Sequence, residues 1–288
     1  MNDEQKLHFF SRIVLAIRQA GMVAKSFQGK VQNEGKVAEG FETDSEILKM
    51  KRAAKTVIDE VVQEILLIAI KDILDPKKIT IDAEEETPSL PFFSNKNAEI
   101  SIVIDPIDGT FEYLNGSDSY SVCLGVVEKN KVTMAFVYFP ARDDFYFLAN
   151  DGESYRLEDF SVREIKDAKP IVTSEKEAPK RVYKNSRVSE EIIDSFMSAD
   201  YEVLDDTMED IGCPDAIIKL LDGESRAYIA HSRNMRDILQ GAIVGNADGY
   251  FMSDWKGNEL EWPKAGRVPR ALFGVEKFKD EIVKLINQ

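Results

Sequence analysis

The chain has 288 residues, 43% of them hydrophobic, enough for a sizeable core and too many for a disordered or fibrous protein. Acidic residues outnumber basic ones 52 to 37, a formal net charge of −15, which disfavours non-specific binding to nucleic acid polymers or anionic membranes, because both require positive surface. The only cysteines are Cys123 and Cys213, too few for a disulfide-stapled secreted scaffold. With a polar start and no apolar run longer than the six residues 65–70, this predicts a cytoplasmic protein without a membrane span.

In chain order, residues 4–28 carry apolar side chains at helical spacing, and 29–45 read as a polar loop. A second helical stretch, 46–74, restarts near Thr56 and stops at Asp75-Pro76. Residues 78–83 form a short strand entering Glu84-Glu85-Glu86, and 100–104 form a buried strand ending at Asp105-Pro106. Strands at 119–128, 132–138 and 144–149, joined by Asn130-Lys131 and Asn150-Asp151-Gly152, predict an antiparallel meander. After about residue 160 the pattern alternates again: strands at 171–174, 201–204, 226–230 and 250–253, and helices from 190, at 211–221, 237–244 and 278–287. Residues 1–160 and 161–288 thus read as two αβ halves sharing one site.

The sharpest local signal is Asp105-Pro106-Ile107-Asp108-Gly109-Thr110. An apolar strand delivers two carboxylates into a tight turn where Gly109 permits close backbone approach and Thr110 adds a hydroxyl. Glu84 and Glu85 stand at another strand end. Such a cluster cannot stay ionised and unpaired, and with no Cys or His nearby in sequence its oxygen ligands point to Mg²⁺, or to Mn²⁺ or Ca²⁺. An Asx-type turn with a solvated loop fits the same residues. A haloacid-dehalogenase nucleophile is excluded, since Pro106 stands where its first Asp belongs, and no phosphate-binding loop of the Gly-x-x-x-x-Gly-Lys type occurs.

Asp105 to Thr110 resembles the signature of the lithium-sensitive, Mg²⁺-dependent phosphatases, the superfamily of inositol monophosphatase, inositol polyphosphate 1-phosphatase and 3′(2′),5′-bisphosphate nucleotidase. Three further segments follow in that superfamily's order: Thr56-Val57-Ile58-Asp59, Ala83-Glu84-Glu85 with alanine in place of glycine, and Arg236-Asp237 with arginine in place of tryptophan. The resemblance implies a layered αβαβα fold with a large, mostly antiparallel sheet and a second, smaller one. It implies two or three Mg²⁺ ions: Glu84, Asp105 and the Ile107 carbonyl at one, Asp105, Asp108 and Asp237 at another, and Glu85 at a third. Asp59 and Thr110 would activate the attacking water, and the Gly109 and Thr110 backbone would hold phosphate. Thr56 and Asp59 also fit a helix capping box that needs no chemistry.

For the substrate, residues 111–113 and 212–228 resemble the bisphosphate nucleotidase and inositol polyphosphate 1-phosphatase branches, and Thr173-Ser174-Glu175 resembles the strand end lining their pocket. The expected substrate is a small bisphosphorylated phosphate ester, with Ser174, Lys219, His231, Arg233 and Arg236 as further contacts. Inositol monophosphatase or fructose-1,6-bisphosphatase activity is the alternative, and a non-catalytic cation- or phosphate-binding protein a third reading. A monomer or homodimer is expected.

Overall fold

The computed structural model describes residues 1–36, 46–95, 98–173 and 177–288. Helix α1 (Asp3–Phe27) starts at an Asn2 capping box and turns Phe9, Ile13, Ile17 and Ala20 inward. The expected second helix is two: α2 (Glu46–Arg52) and α3 (Val57–Ile73). The break falls where Thr56 caps α3, its hydroxyl accepting from the Ile58 N–H. α1 packs along α3, and both lie on a seven-stranded sheet.

That sheet is ordered β1 (Ile79–Ala83), β2 (Ile100–Asp108), β3 (Ser121–Glu128), β4 (Lys131–Phe139), β5 (Asp144–Leu148), β6 (Ser154–Leu157), β7 (Lys169–Pro170). β1 and β2 are parallel and the rest antiparallel, as the meander predicts. The short helix α4 (Thr110–Leu114) follows β2. The expected strand at 171–174 lies earlier, at β7, where its proline occupies an edge position that demands no N–H.

A five-stranded sheet follows, ordered β11 (Tyr250–Ser253), β12 (Arg267–Val275), β10 (Ala227–Asn234), β8 (Arg181–Lys184), β9 (Glu202–Asp205). Helices α5 (Glu190–Ser198) and α9 (Lys279–Ile286) cover its outer face around Phe196, Ile229, Leu272 and Ile282. Between the two sheets lie α6 (Cys213–Ile218), α7 (Met235–Ile238) and α8 (Gly241–Gly245). Their core joins Val103, Cys123 and Val137 of the large sheet to Tyr228, Ala230 and Phe273 of the small one. The succession is helices, sheet, helices, sheet, helices, the αβαβα layering expected.

Candidate active site

The strand order brings two acid-bearing strand ends to one level. Ala83 stands opposite Ile104 in the parallel β1–β2 pair, so Glu84 and Asp105 emerge side by side. Along β2, Ile102 and Ile104 face α1 and α3, whereas Val103 faces the middle layer. Asp105, two residues beyond Val103, belongs to that middle-layer side. There α7 presents Asp237 in its first turn. A register shift in the β2–β3 ladder between Asp105 and Asp108 adds a third carboxylate. Oxygens of Asp105, Asp108 and Asp237 all lie within 4.8 Å of one another.

These carboxylates strain against one another. Burial, then the charges of Glu84, Asp108 and Asp237, push the Asp105 carboxyl well above its usual range. Asp108 rises through burial and Asp237, and Asp237 rises through burial although Arg233 and Arg236 oppose it. Burial would also raise Glu84, but Lys36 and Arg236 outweigh it and hold that carboxyl below its ordinary value. Lys36 donates to Glu84 at 2.5 Å and lies 3.4 Å from Glu85. Burial pulls the Lys36 ammonium down, yet these acids more than offset it and its pKa ends raised.

Asp105 Oδ1 is buried and has no hydrogen-bond partner. An orphaned carboxylate oxygen, inside an all-oxygen cluster whose members repel, fits a hard divalent cation such as Mg²⁺. It does not fit a thiophilic metal. Both cysteines are buried, and burial raises both thiols well above their usual pKa, so neither is a ready thiolate.

Asp59 lies beside this cluster, fully buried in the first turn of α3. Its Oδ2 accepts from the Thr56 hydroxyl at 2.6 Å and the Thr56 N–H at 2.9 Å. Its Oδ1 accepts from the Thr110 hydroxyl at 2.9 Å. The capping box and the Asp59–Thr110 pair therefore coexist on one carboxylate. Burial raises the Asp59 pKa to about 6 against the hydrogen bonds from Thr56 and Thr110. Gly109, at φ +84°, turns the chain into α4, and a Cβ there would meet the Ser119 carbonyl oxygen at 2.9 Å.

The groups open into a cleft of about 220 Å³ lined by Glu84, Asp105, Asp108, Thr110, Arg233 and Asp237 among others. Of the residues expected from sequence, Gly109, Ile107 and Arg236 also line it. Glu85 is buried against Lys55, 2.9 Å away, and Gln63. Arg233 pairs with Asp206 at 3.1 Å and Asp237 at 3.2 Å. Lys219 instead pairs with Glu224, and His231 Nδ1 lies 2.8 Å from the Arg187 carbonyl oxygen beside Trp255; neither lines the cleft. Ser174 lies outside the described residues. Lining residues not singled out from sequence include Lys36, Arg187, Asp206 and Arg267. For Asp206, the Asp205-Asp206-Thr207 run at the end of β9 is a signal in the sequence.

The family model described as the inositol monophosphatase family matches residues 9–288. The chain is 22% identical over 200 residues to the 3′(2′),5′-bisphosphate nucleotidase CysQ of Salmonella typhimurium, covering 65% of this chain and 74% of that one. It is 33% identical over 106 residues to a putative Nus factor SuhB of Neisseria meningitidis, 37% of this chain and only 38% of that relative's length. Among solved structures, the IMPase of Thermotoga maritima shares the fold at a TM-score of 0.67 and 20% identity, covering 95% of this chain and 94% of that one. On the family match across nearly its whole length, and with the fold and acidic cluster above, the chain belongs to the inositol monophosphatase family.

Proposed function

We propose that the protein is a Mg²⁺-dependent phosphomonoesterase that removes one phosphate from a small bisphosphorylated substrate, an inositol bisphosphate or an adenosine 3′(2′),5′-bisphosphate. The observation that carries this reading is the pairing of Asp59 with the Thr110 hydroxyl at the edge of three converging aspartates. Glu84, Asp105 and the Ile107 carbonyl would hold one Mg²⁺, and Asp105, Asp108 and Asp237 another. A solved structure of similar fold, an IMPase/NADP phosphatase, is described as complexed with Mg²⁺ and phosphate, in keeping with this assignment. When bound, the metal neutralises phosphoryl charge, eases deprotonation of water and stabilises the leaving oxygen.

The chain's own groups supply the rest. The Thr110 hydroxyl has one proton and two lone pairs. Directed at Asp59 Oδ1, it leaves a lone pair to receive a proton from a water in the cleft while its own proton passes to Asp59. With a pKa near 6, Asp59 is ionised at neutral pH and remains basic enough to accept it. The Gly109 and Thr110 N–H groups open α4, where backbone donors have no partner within the helix, and suit phosphate oxygens.

The test is phosphate release from inositol mono- and bisphosphates, adenosine bisphosphate and fructose 1,6-bisphosphate, with and without Mg²⁺. Release from a bisphosphate only with Mg²⁺, abolished in Asp59→Asn, is expected. A second, non-catalytic reading is favoured by Lys36 on Glu84 and Arg233 on Asp237, which place internal cations on the cluster, and by the Nus factor names of some relatives. Mg²⁺ binding without release from any substrate would select it.

A further inference from the structure

We propose that Arg187 and Arg267 form the subsite for the second, non-scissile phosphate of the substrate. This deepens the phosphatase reading and rests on it. The two arginines come from distant stretches, one just after β8 and the other opening β12, yet both line the cleft. Arg187 Nη1 donates to the Ser232 carbonyl at 2.8 Å, and Arg267 Nη1 to the same oxygen at 2.7 Å. Their terminal nitrogens are therefore no more than 5.5 Å apart, the limit set by those two bonds. Two permanent cations so close repel. A dianion between them would offset that repulsion. Among the described residues the partner of Arg267 is this carbonyl rather than a carboxylate, and the residue is exposed.

The backbone is shaped to hold this pair. Ser232 adopts a left-handed conformation, φ +49°, in the middle of β10. The β10–β12 ladder pairs His231 with Arg270 and Arg233 with Val268, skipping Ser232 and Pro269. Pro269 has no N–H, so the strand forgoes a ladder bond there. The Ser232 carbonyl is left to accept the two guanidinium groups. The location also fits a second phosphate. Ser232 precedes Arg233, whose Nε lies 3.2 Å from Asp237, and Asn234 stands opposite Arg267 in register. The pair and the acidic cluster thus line one cleft. The two cations singled out from sequence in this region serve otherwise: Arg233 is spent on Asp206 and Asp237, and Arg236 faces Asp82 at 3.8 Å. A guanidinium fork suits a phosphate dianion better than an ammonium does.

The experiment compares kcat/KM for a bisphosphate and its monophosphate in the full chain with Mg²⁺, using adenosine 3′,5′-bisphosphate against adenosine 3′-monophosphate and inositol 1,4-bisphosphate against inositol 1-phosphate. The bisphosphate-to-monophosphate ratio should fall about tenfold in Arg267→Gln and further in Arg187→Gln/Arg267→Gln, for whichever substrate pair is used. Arg270→Gln removes the same charge from the same strand outside the cleft and should leave the ratio at its wild-type value. An unchanged ratio in the Arg267 variant, or an equal fall in the Arg270 variant, overturns the subsite. Calorimetric titration with the same four compounds separates this from failure of the phosphatase reading. If no compound is hydrolysed, tighter binding of a bisphosphate than its monophosphate, lost in Arg267→Gln, still supports the subsite, and equal binding refutes it.

Discussion

In the proposed reaction Asp59 accepts the proton, and its environment would set the pH at which it works. Burial lifts its pKa from 3.8 to about 6, so the ionised, basic form is lost below that pH. The kcat/KM of the wild type should rise about tenfold per pH unit up to about pH 6 and then level off. The Thr56 hydroxyl bond favours the ionised form, so Thr56→Val should move this limb to higher pH. A limb that stays put or moves toward acid would remove Thr56 from the network. Asp59→Asn keeps the shape of the carboxylate but cannot accept the proton. Turnover should drop by roughly 10²–10⁴-fold while Mg²⁺ binding by titration calorimetry persists, because the proposed ligands are untouched. Near-normal turnover would contradict the base assignment.

At the scale of elements, the turn between β2 and α4 is the part most sensitive to a small change. Gly109 combines a positive φ with a Cβ position 2.9 Å from a backbone oxygen that cannot rotate away. Gly109→Ala should cost about 1–3 kcal/mol, read as a lower midpoint in denaturant unfolding, and should reduce turnover by displacing Asp108 and Thr110 together. A variant as stable and active as the wild type would show that the turn is not constrained. The same turn explains why much of the site was legible in the sequence. Asp105, Asp108 and Thr110 lie within six residues and Glu84 closes a strand, whereas Asp237, in a helix of four residues, was reached only through the family resemblance. The arginines were not legible, because Arg187 and Arg267 reach the cleft only through the pairing of β8 and β12 with β10. Those two strands were themselves missed. β8 carries only Val182 and Tyr183 as apolar residues, and β12 is interrupted by Pro269 in a run that reads as a loop. The meander, by contrast, announces itself through alternation and turn residues; only β6 escaped, and the edge strand β7 was expected a few residues too late.

For the whole molecule, the layering places the acidic cluster where the large sheet meets the middle helices, with Asp59 from the outer helical layer and Asp237 from the middle one. The metal-free cluster is a liability to stability. Asp59, Asp105, Asp108 and Asp237 all have pKa values raised above those of the unfolded chain, so the folded state binds more protons and loses stability as pH rises from about 4 through these raised values. Glu84, held low, acts in the opposite sense: its contribution is present above its unfolded pKa and lost as pH falls. The raised group is the larger, so the benefit of Mg²⁺ should grow with pH. Saturating Mg²⁺ should raise Tm by about 5 °C at pH 7.5 and by much less at pH 5. A shift independent of pH would mean that the ion binds away from these acids.

The most direct test of the central claim, that carboxylates from the β2 turn and from α7 jointly grip a hard cation, is calorimetric titration of Mg²⁺ at pH 7.5 into the wild type and into Asp105→Asn and Asp237→Asn. Binding to the wild type and at least a tenfold loss of affinity in each variant are expected, although the two positions are 132 residues apart in the chain. Wild-type affinity retained in Asp237→Asn would contradict it.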